Sequence, residues 1–125
     1  MLEGFEQYNM TTGIASISIS ENGVGFSKAA VIKMNRCPYA KVFVDRVNNR
    51  LAIQEAEKND DGAVQFFNEQ KSGSVRWNNK ELLKTLSQMM NLNFAKKVYR
   101  VDGNYYPDEK AMVFELKTAT LQSSR

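Results

Sequence analysis

The chain has 125 residues, 42% hydrophobic and 25% charged, and a net charge of +3 from 17 basic and 14 acidic side chains. That is the length of one ordinary domain, or of two small halves sharing a core, and the balance of a globular rather than a disordered protein. A single cysteine, Cys37, excludes an internal disulfide, and the lack of histidine removes the commonest general base and metal ligand.

Residues 1–12 show no period and read as a flexible arm. The acids Glu3 and Glu6 and the lack of an apolar run do not fit a signal peptide. No stretch approaches the roughly 18 apolar residues of a spanning helix. The expectation is a cytoplasmic protein.

Ile14, Ile17 and Ile19 alternate with Ser16, Ser18 and Ser20, which predicts a strand with one face inward. Asn22-Gly23 predicts a hairpin turn, and Val24-Gly25-Phe26 resumes extended chain. Ser27 is placed to cap a helix over Lys28–Met34, which Cys37-Pro38 ends. Val42–Val44 and Leu51–Ile53 predict a second hairpin around Asn48-Asn49. After a polar connector at 57–63, Val64–Phe67 and Ser74–Trp77 read as strands with a turn at Lys71–Gly73.

Asn78 followed by Glu81 reads as a variant capping box. Leu82, Leu83, Leu86, Met89 and Met90 then form one apolar stripe of an amphipathic helix. Val98–Val101 and Met112–Leu116 predict a third hairpin, turning at Asp102-Gly103-Asn104, with Tyr105 and Tyr106 in its loop. Residues 118–125 read as a frayed tail.

The two halves share one order of elements. Phe26 matches Trp77, Ser27 matches Asn78, and Gly23 matches Gly73. The fold class expected is α+β: two pseudo-repeated β-β-α-β-β units at 13–56 and 64–117, building an antiparallel sheet or small barrel with two helices packed on it.

Asn22-Gly23-Val24-Gly25-Phe26-Ser27-Lys28, followed by a short helix, Lys41–Val44 and Arg50–Ile53, resembles the swapped-hairpin AbrB and MraZ group of bacterial transcription regulators. The resemblance implies DNA binding by basic residues beside the first hairpin and helix. Lys28 matches the family's basic residue after the strand, and Lys33 and Arg36 fall where it often has more. Ser27 stands where the family has proline, and Pro38-Tyr39-Ala40 where it has a Gly-Asp pair. As a whole the chain also looks like small proteins of phages and mobile elements of Gram-positive bacteria.

Charge is unevenly spread. Lys28 to Arg50 holds six basic residues and one acid; Lys71 to Arg100 holds seven and one. Lys28, Lys33, Arg36, Lys41 and Arg46 are therefore the candidate phosphate contacts, with Arg76, Lys80, Lys84, Tyr105 and Tyr106 as secondary contacts; Lys96, Lys97 and Arg100 extend the second patch. Glu55, Glu57, Asp60 and Asp61 form the one acidic cluster, but its connector context favours a solvated loop over a metal site. Gly23-Val24-Gly25 lacks the Gly-Lys-Ser/Thr ending of a phosphate loop. No cofactor, no metal and no enzymatic activity are expected. The partner expected is double-stranded DNA; the alternative is a protein-interaction module, such as a phage-borne inhibitor of a host or defence protein. A homodimer fits either.

Overall fold

The computed structural model describes residues 2–5, 13–69 and 75–124. Its elements are β1 Ser16–Ser20, β2 Gly23–Phe26, α1 Lys28–Lys33, β3 Tyr39–Asp45, β4 Arg50–Ala56, β5 Val64–Gln65, β6 Val75–Trp77, α2 Lys80–Met90, β7 Lys97–Tyr106, β8 Ala111–Glu115 and β9 Thr120–Ser124. The fold is α+β. Its strands pair antiparallel into one curled half-barrel in the order β5-β3-β4-β8-β7-β1-β2-β6, with β9 alongside β7.

The alternating sequence sets which face is inside. Ile17 and Ile19 lie opposite Val101 and Tyr99 on one side and Phe26 and Val24 on the other. Both isoleucines are fully buried. The same face continues through Leu51, Ile53, Met112 and Phe114, paired across β4 and β8. Burying each such side chain contributes roughly 1.5–3 kcal/mol. Ser16, Ser18 and Ser20 consequently point to the opposite face, where Ser18 is partly exposed and Ser16 and Ser20 are buried.

Ser27 caps α1 through its Oγ, which accepts the N–H of Ala30 at 3.1 Å and that of Ser16 at 3.0 Å. One hydroxyl thus satisfies an orphan helix donor and ties the helix to β1. Ala29, Ala30 and Val31 face the core. The helix stops at Lys33, one residue short of expectation, because Asn35 and Arg36 both turn left-handed before Pro38 is reached.

The cap of α2 is Asn79, not Asn78: its Oδ1 accepts the Leu82 N–H at 2.9 Å. Trp77 still belongs to β6, so Asn78 makes the turn and Asn79 the cap. In the predicted stripe Leu86 is fully buried, while Leu82, Leu83, Met89 and Met90 are half-buried against the core. Trp77 Nε1 donates to the Gln65 carbonyl at 3.0 Å, linking β6 to β5 where the sheet's two ends approach. Phe26 and Phe66 pack edge-on against its ring and each other.

Several boundaries differ from expectation. Asp102-Gly103-Asn104 is not a turn: β7 runs unbroken to Tyr106, and the loop is 107–110. Gly103 lies opposite Phe114, and a Cβ there would meet the Phe114 Cε1 at 2.5 Å. The glycine is needed for close packing rather than for chain reversal. Ile14 lies outside β1 and is exposed. β5 holds only Val64 and Gln65, although Phe66 beyond it is buried. Thr120–Ser124, within the tail at 118–125 expected to fray, instead form β9, which covers the side of β7 opposite β1. Gly73, the Lys71–Gly73 turn, Ser74 and most of the 1–12 arm lie outside the described residues.

Candidate functional site

The outer face of β6, β2, β1 and β7 is floored by small side chains. Arg76, Gly25, Ser18, Arg100 and Thr120 lie in one register row across five strands. Ser20 and Gly23 form the neighbouring pair. Small residues leave a trough where larger ones would fill it. A groove of about 470 Å³ results, lined by Ser18, Ser20, Glu21, Arg76, Lys96 and Lys97 among others. A recess of about 210 Å³ continues it past Ser18 and Arg76 to Gly25 and Ser27.

Arg76 lies across the floor. Its Nη2 is 3.0 Å from where a Cβ on Gly25 would stand, so glycine at 25 makes room for the guanidinium. Lys96 is left-handed, and its N–H reaches Glu21 Oε2 at 3.4 Å, which fixes the turn into β7. Lys97 follows at the start of the strand. Arg100 is partly neutralised, since its Nε donates to Asp102 Oδ1 at 2.9 Å. Among the described residues Arg76, Lys96 and Lys97 make no ion pair. The Ser18 hydroxyl has no intramolecular hydrogen bond there, whereas Ser20 Oγ accepts the Asn22 N–H at 3.2 Å. The result is three free cations and a free hydroxyl around a groove holding one carboxylate, Glu21. Such a surface attracts anions and offers donors suited to phosphate oxygens.

The first basic stretch is dispersed. Lys28, Lys33 and Arg36 are exposed on and just after α1. Lys41 lies on β3, 3.9 Å from Asp60. Arg46 is in the loop beyond the far end of β3 from Arg36, and a seven-residue strand puts about 20 Å between them. Lys80 and Lys84 are exposed on α2 and do not line the groove. Lys71 lies outside the described residues.

Tyr105 is not a loop residue. It is half-buried in β7, and its OH donates to Glu55 Oε2 at 3.2 Å, where Asn35 Nδ2 also donates at 3.0 Å. Burial and that carboxylate raise its pKa. Tyr106 is 49% exposed at the strand end. Glu55 itself sits in β4 and lines a small recess with Glu57 and Asp60 of the connector, where Asp60 accepts the Glu57 N–H at 2.8 Å. Among the described residues no group of three or more His, Cys, Asp or Glu could hold a metal ion. Cys37 is buried, and burial followed by the Glu55 charge pushes its thiol up to about 11. No helix among the described residues is long and apolar enough to cross a membrane.

Lys96, Lys97 and Arg76 carried a sequence signal, as members of a basic stretch. The Ser18, Ser20 and Gly25 floor did not, because small outward residues on a strand mark no chemistry until pairing sets them side by side. Compared with known proteins, the chain matches no family model, no curated sequence and no solved structure.

Proposed function

We propose that this chain is a non-enzymatic binding protein that grips the phosphate backbone of double-stranded DNA in the groove over β1, β2, β6 and β7. The observation that carries the reading is the convergence of Arg76, Lys96 and Lys97, without ion-pair partners, on a floor of serine and glycine. Small floor residues let a sugar-phosphate chain approach the sheet, and the cations neutralise it. The groove's main lining has no aromatic ring on which an unpaired base would stack, which favours backbone contact with a duplex over single-strand binding. Within the AbrB and MraZ resemblance this moves the contact from the first basic stretch to the second.

The reading includes a two-unit fold. Asp45 opposite Arg50 in the β3–β4 hairpin corresponds to Tyr106 opposite Ala111 in the β7–β8 hairpin, each 61 positions on. At that same offset Asn49 and Lys110, with φ of 53° and 52°, close the two four-residue loops. Asn35 and Lys96, at 59° and 58°, share that offset and the left-handed conformation, although Lys96 directly precedes β7 while Arg36–Pro38 separate Asn35 from β3. Between halves, β2 pairs with β6 and β4 with β8, while β1 on β7 is mirrored by β5 on β3. These correspondences support two pseudo-equivalent units about an axis between β4 and β8.

The test is fluorescence anisotropy with a nonspecific duplex across a salt series. Three neutralised phosphates give a log–log salt slope of about −2.7, or roughly a 40-fold loss of affinity from 50 to 200 mM salt. Arg76→Ala and Lys97→Ala should each flatten that slope by about 0.9. Lys33→Ala and Arg46→Ala should leave it within about 0.3, since the groove excludes both. Absence of binding at any salt refutes the proposal and favours protein docking, for which Phe43, Val44, Val47 and Tyr106 are among the exposed apolar residues.

A further inference from the structure

We propose that the open edge of β3 pairs with the same edge of a second copy of this chain. β5 covers only Tyr39 and Ala40, so among the described residues Lys41–Asp45 has no strand on that side. The direction of its backbone groups follows from two hydrogen bonds. The Glu55 N–H donates to the Lys110 carbonyl, so odd-numbered residues of β4 face β8 and even-numbered ones face β3. Their partners on β3 are the odd residues Lys41, Phe43 and Asp45. The N–H and C=O of Val42 and Val44 therefore point to the open edge. The bond from Phe66 N–H to the Pro38 carbonyl gives the same parity.

An unpaired edge of this kind templates another strand, and proteins commonly block it with like charge or proline. Here the edge is apolar in the middle, with Phe43 50% and Val44 39% exposed, and its two end charges are opposite in sign, Asp45 also binding Arg50 and Lys41 lying 3.9 Å from Asp60. Antiparallel self-pairing centred on Phe43 sets Lys41 against the partner's Asp45, and Asp45 against the partner's Lys41. Val42 and Val44 then exchange backbone hydrogen bonds with the partner's Val44 and Val42. Phe43 meets the partner's Phe43 at a non-hydrogen-bonded position, where side chains approach most closely. Centring on Val42 instead sets Lys41 against Phe43, and centring on Val44 sets Phe43 against Asp45. Charge complementarity therefore selects both the occupant and the register. On the inward side, the edge borders an apolar groove of about 330 Å³ lined by Val42, Val64, Trp77 and Leu82 among others. The partner's Val44, opposite Val42 and on the same face, comes to its mouth.

The test is sedimentation velocity on the protein alone over a concentration series, which keeps it separate from DNA binding. The wild type should move from monomer mass toward twice that mass as concentration rises, with the modest affinity of a small interface. Val44→Pro removes an edge-facing N–H while leaving the β3–β4 ladder intact, and should stay monomeric. Lys41→Glu and Asp45→Lys should each weaken self-association about tenfold by setting like charges opposite. An equal mixture of those two variants should restore it, because each then meets its opposite. Circular dichroism establishes that each variant is folded; if Asp45→Lys is not, Val44→Pro and Lys41→Glu decide. A wild type monomeric at every concentration overturns the proposal. So does a dimer that Val44→Pro leaves intact, or a mixture of folded variants no stronger than either alone.

Discussion

Replacing Gly103 by alanine tests the reading of β7 as one continuous strand. An alanine Cβ would stand 2.5 Å from Phe114 Cε1, 2.9 Å from its Cδ1 and 3.1 Å from Met112 Cγ. Both neighbours are essentially fully buried, so neither ring nor chain can step aside into solvent. The Gly103 backbone is not left-handed, so alanine meets no dihedral strain there. A Gly→Ala change at a compatible backbone otherwise stabilises by about 0.4–1 kcal/mol through the unfolded chain. Overpacking costs about 1–3 kcal/mol and wins, leaving a net loss of roughly 1–2 kcal/mol. For a domain of this size that lowers Tm by about 4–8 °C. Phe114→Leu alone should cost about 1 kcal/mol, yet in the double variant it frees the space the new methyl needs. The double variant should therefore be more stable than the sum of the singles by about 1 kcal/mol, measured by urea titration. Additive effects, or a stabilising Gly103→Ala, would refute the contact. If Gly103 instead supplied a left-handed turn, Phe114→Leu would relieve nothing.

Trp77→Phe keeps an aromatic ring against Phe26 and Phe66 but loses the bond to the Gln65 carbonyl; a loss of about 1 kcal/mol by chemical denaturation is expected, and no change would mean that bond does not hold the seam. Cys37, with its thiol near 11, has a thiolate fraction of about a thousandth at pH 8, against about a quarter for a free thiol. Its labelling by a thiol reagent should be over about 100-fold slower in the folded protein than in denaturant, and equal rates would show an exposed thiol. The Asp45 carboxylate accepts from Asn48 Nδ2 at 2.9 Å, Arg50 Nη2 at 2.7 Å and the Val47 and Asn48 N–H groups at 3.1 Å. The Asn48 side chain first, then Arg50, hold it well below the usual carboxylate range. Its folded-state pKa is depressed, so its contribution is complete above about pH 4 and is lost as pH falls from there toward the folded value. An NMR titration placing the Asp45 midpoint at an ordinary carboxylate value would contradict this.

What was legible followed from local chemistry. Ile17-Ser18-Ile19-Ser20 declared its inward face because a strand alternates, and that face is the buried one. Ser27 declared a cap, and the leucine and methionine spacing of α2 declared a helix. Legibility failed where tertiary partners set the outcome. Asp-Gly-Asn satisfies every local rule for a turn, yet the need of Phe114 for space opposite residue 103 gives the glycine a different task. The tail from Thr120 pairs because one side of β7 was left uncovered, which no window of tail sequence records. Asn78 and Asn79 are equally good caps, and the length of β6 chooses between them.

The same reasoning applies to the basic stretches. Charges adjacent in sequence around an extended strand are spaced by about 3.3 Å per residue, so a run from Arg36 to Arg46 spreads along the sheet and past its end. Acids then take up part of it, since Asp60 approaches Lys41 and Asp45 binds Arg50. Charges distant in sequence behave oppositely when their strands pair. Arg76 reaches the groove because β6 lies on β2, and Lys96 and Lys97 reach it because β7 lies on β1. Between those strands stand Gly25 and Ser18, too small to separate the cations from a ligand laid across them. Charge density along the chain therefore measures little about a sheet protein. The useful quantity is charge per register row, weighted by the bulk of the residues between, and it needs strand order before it can be read.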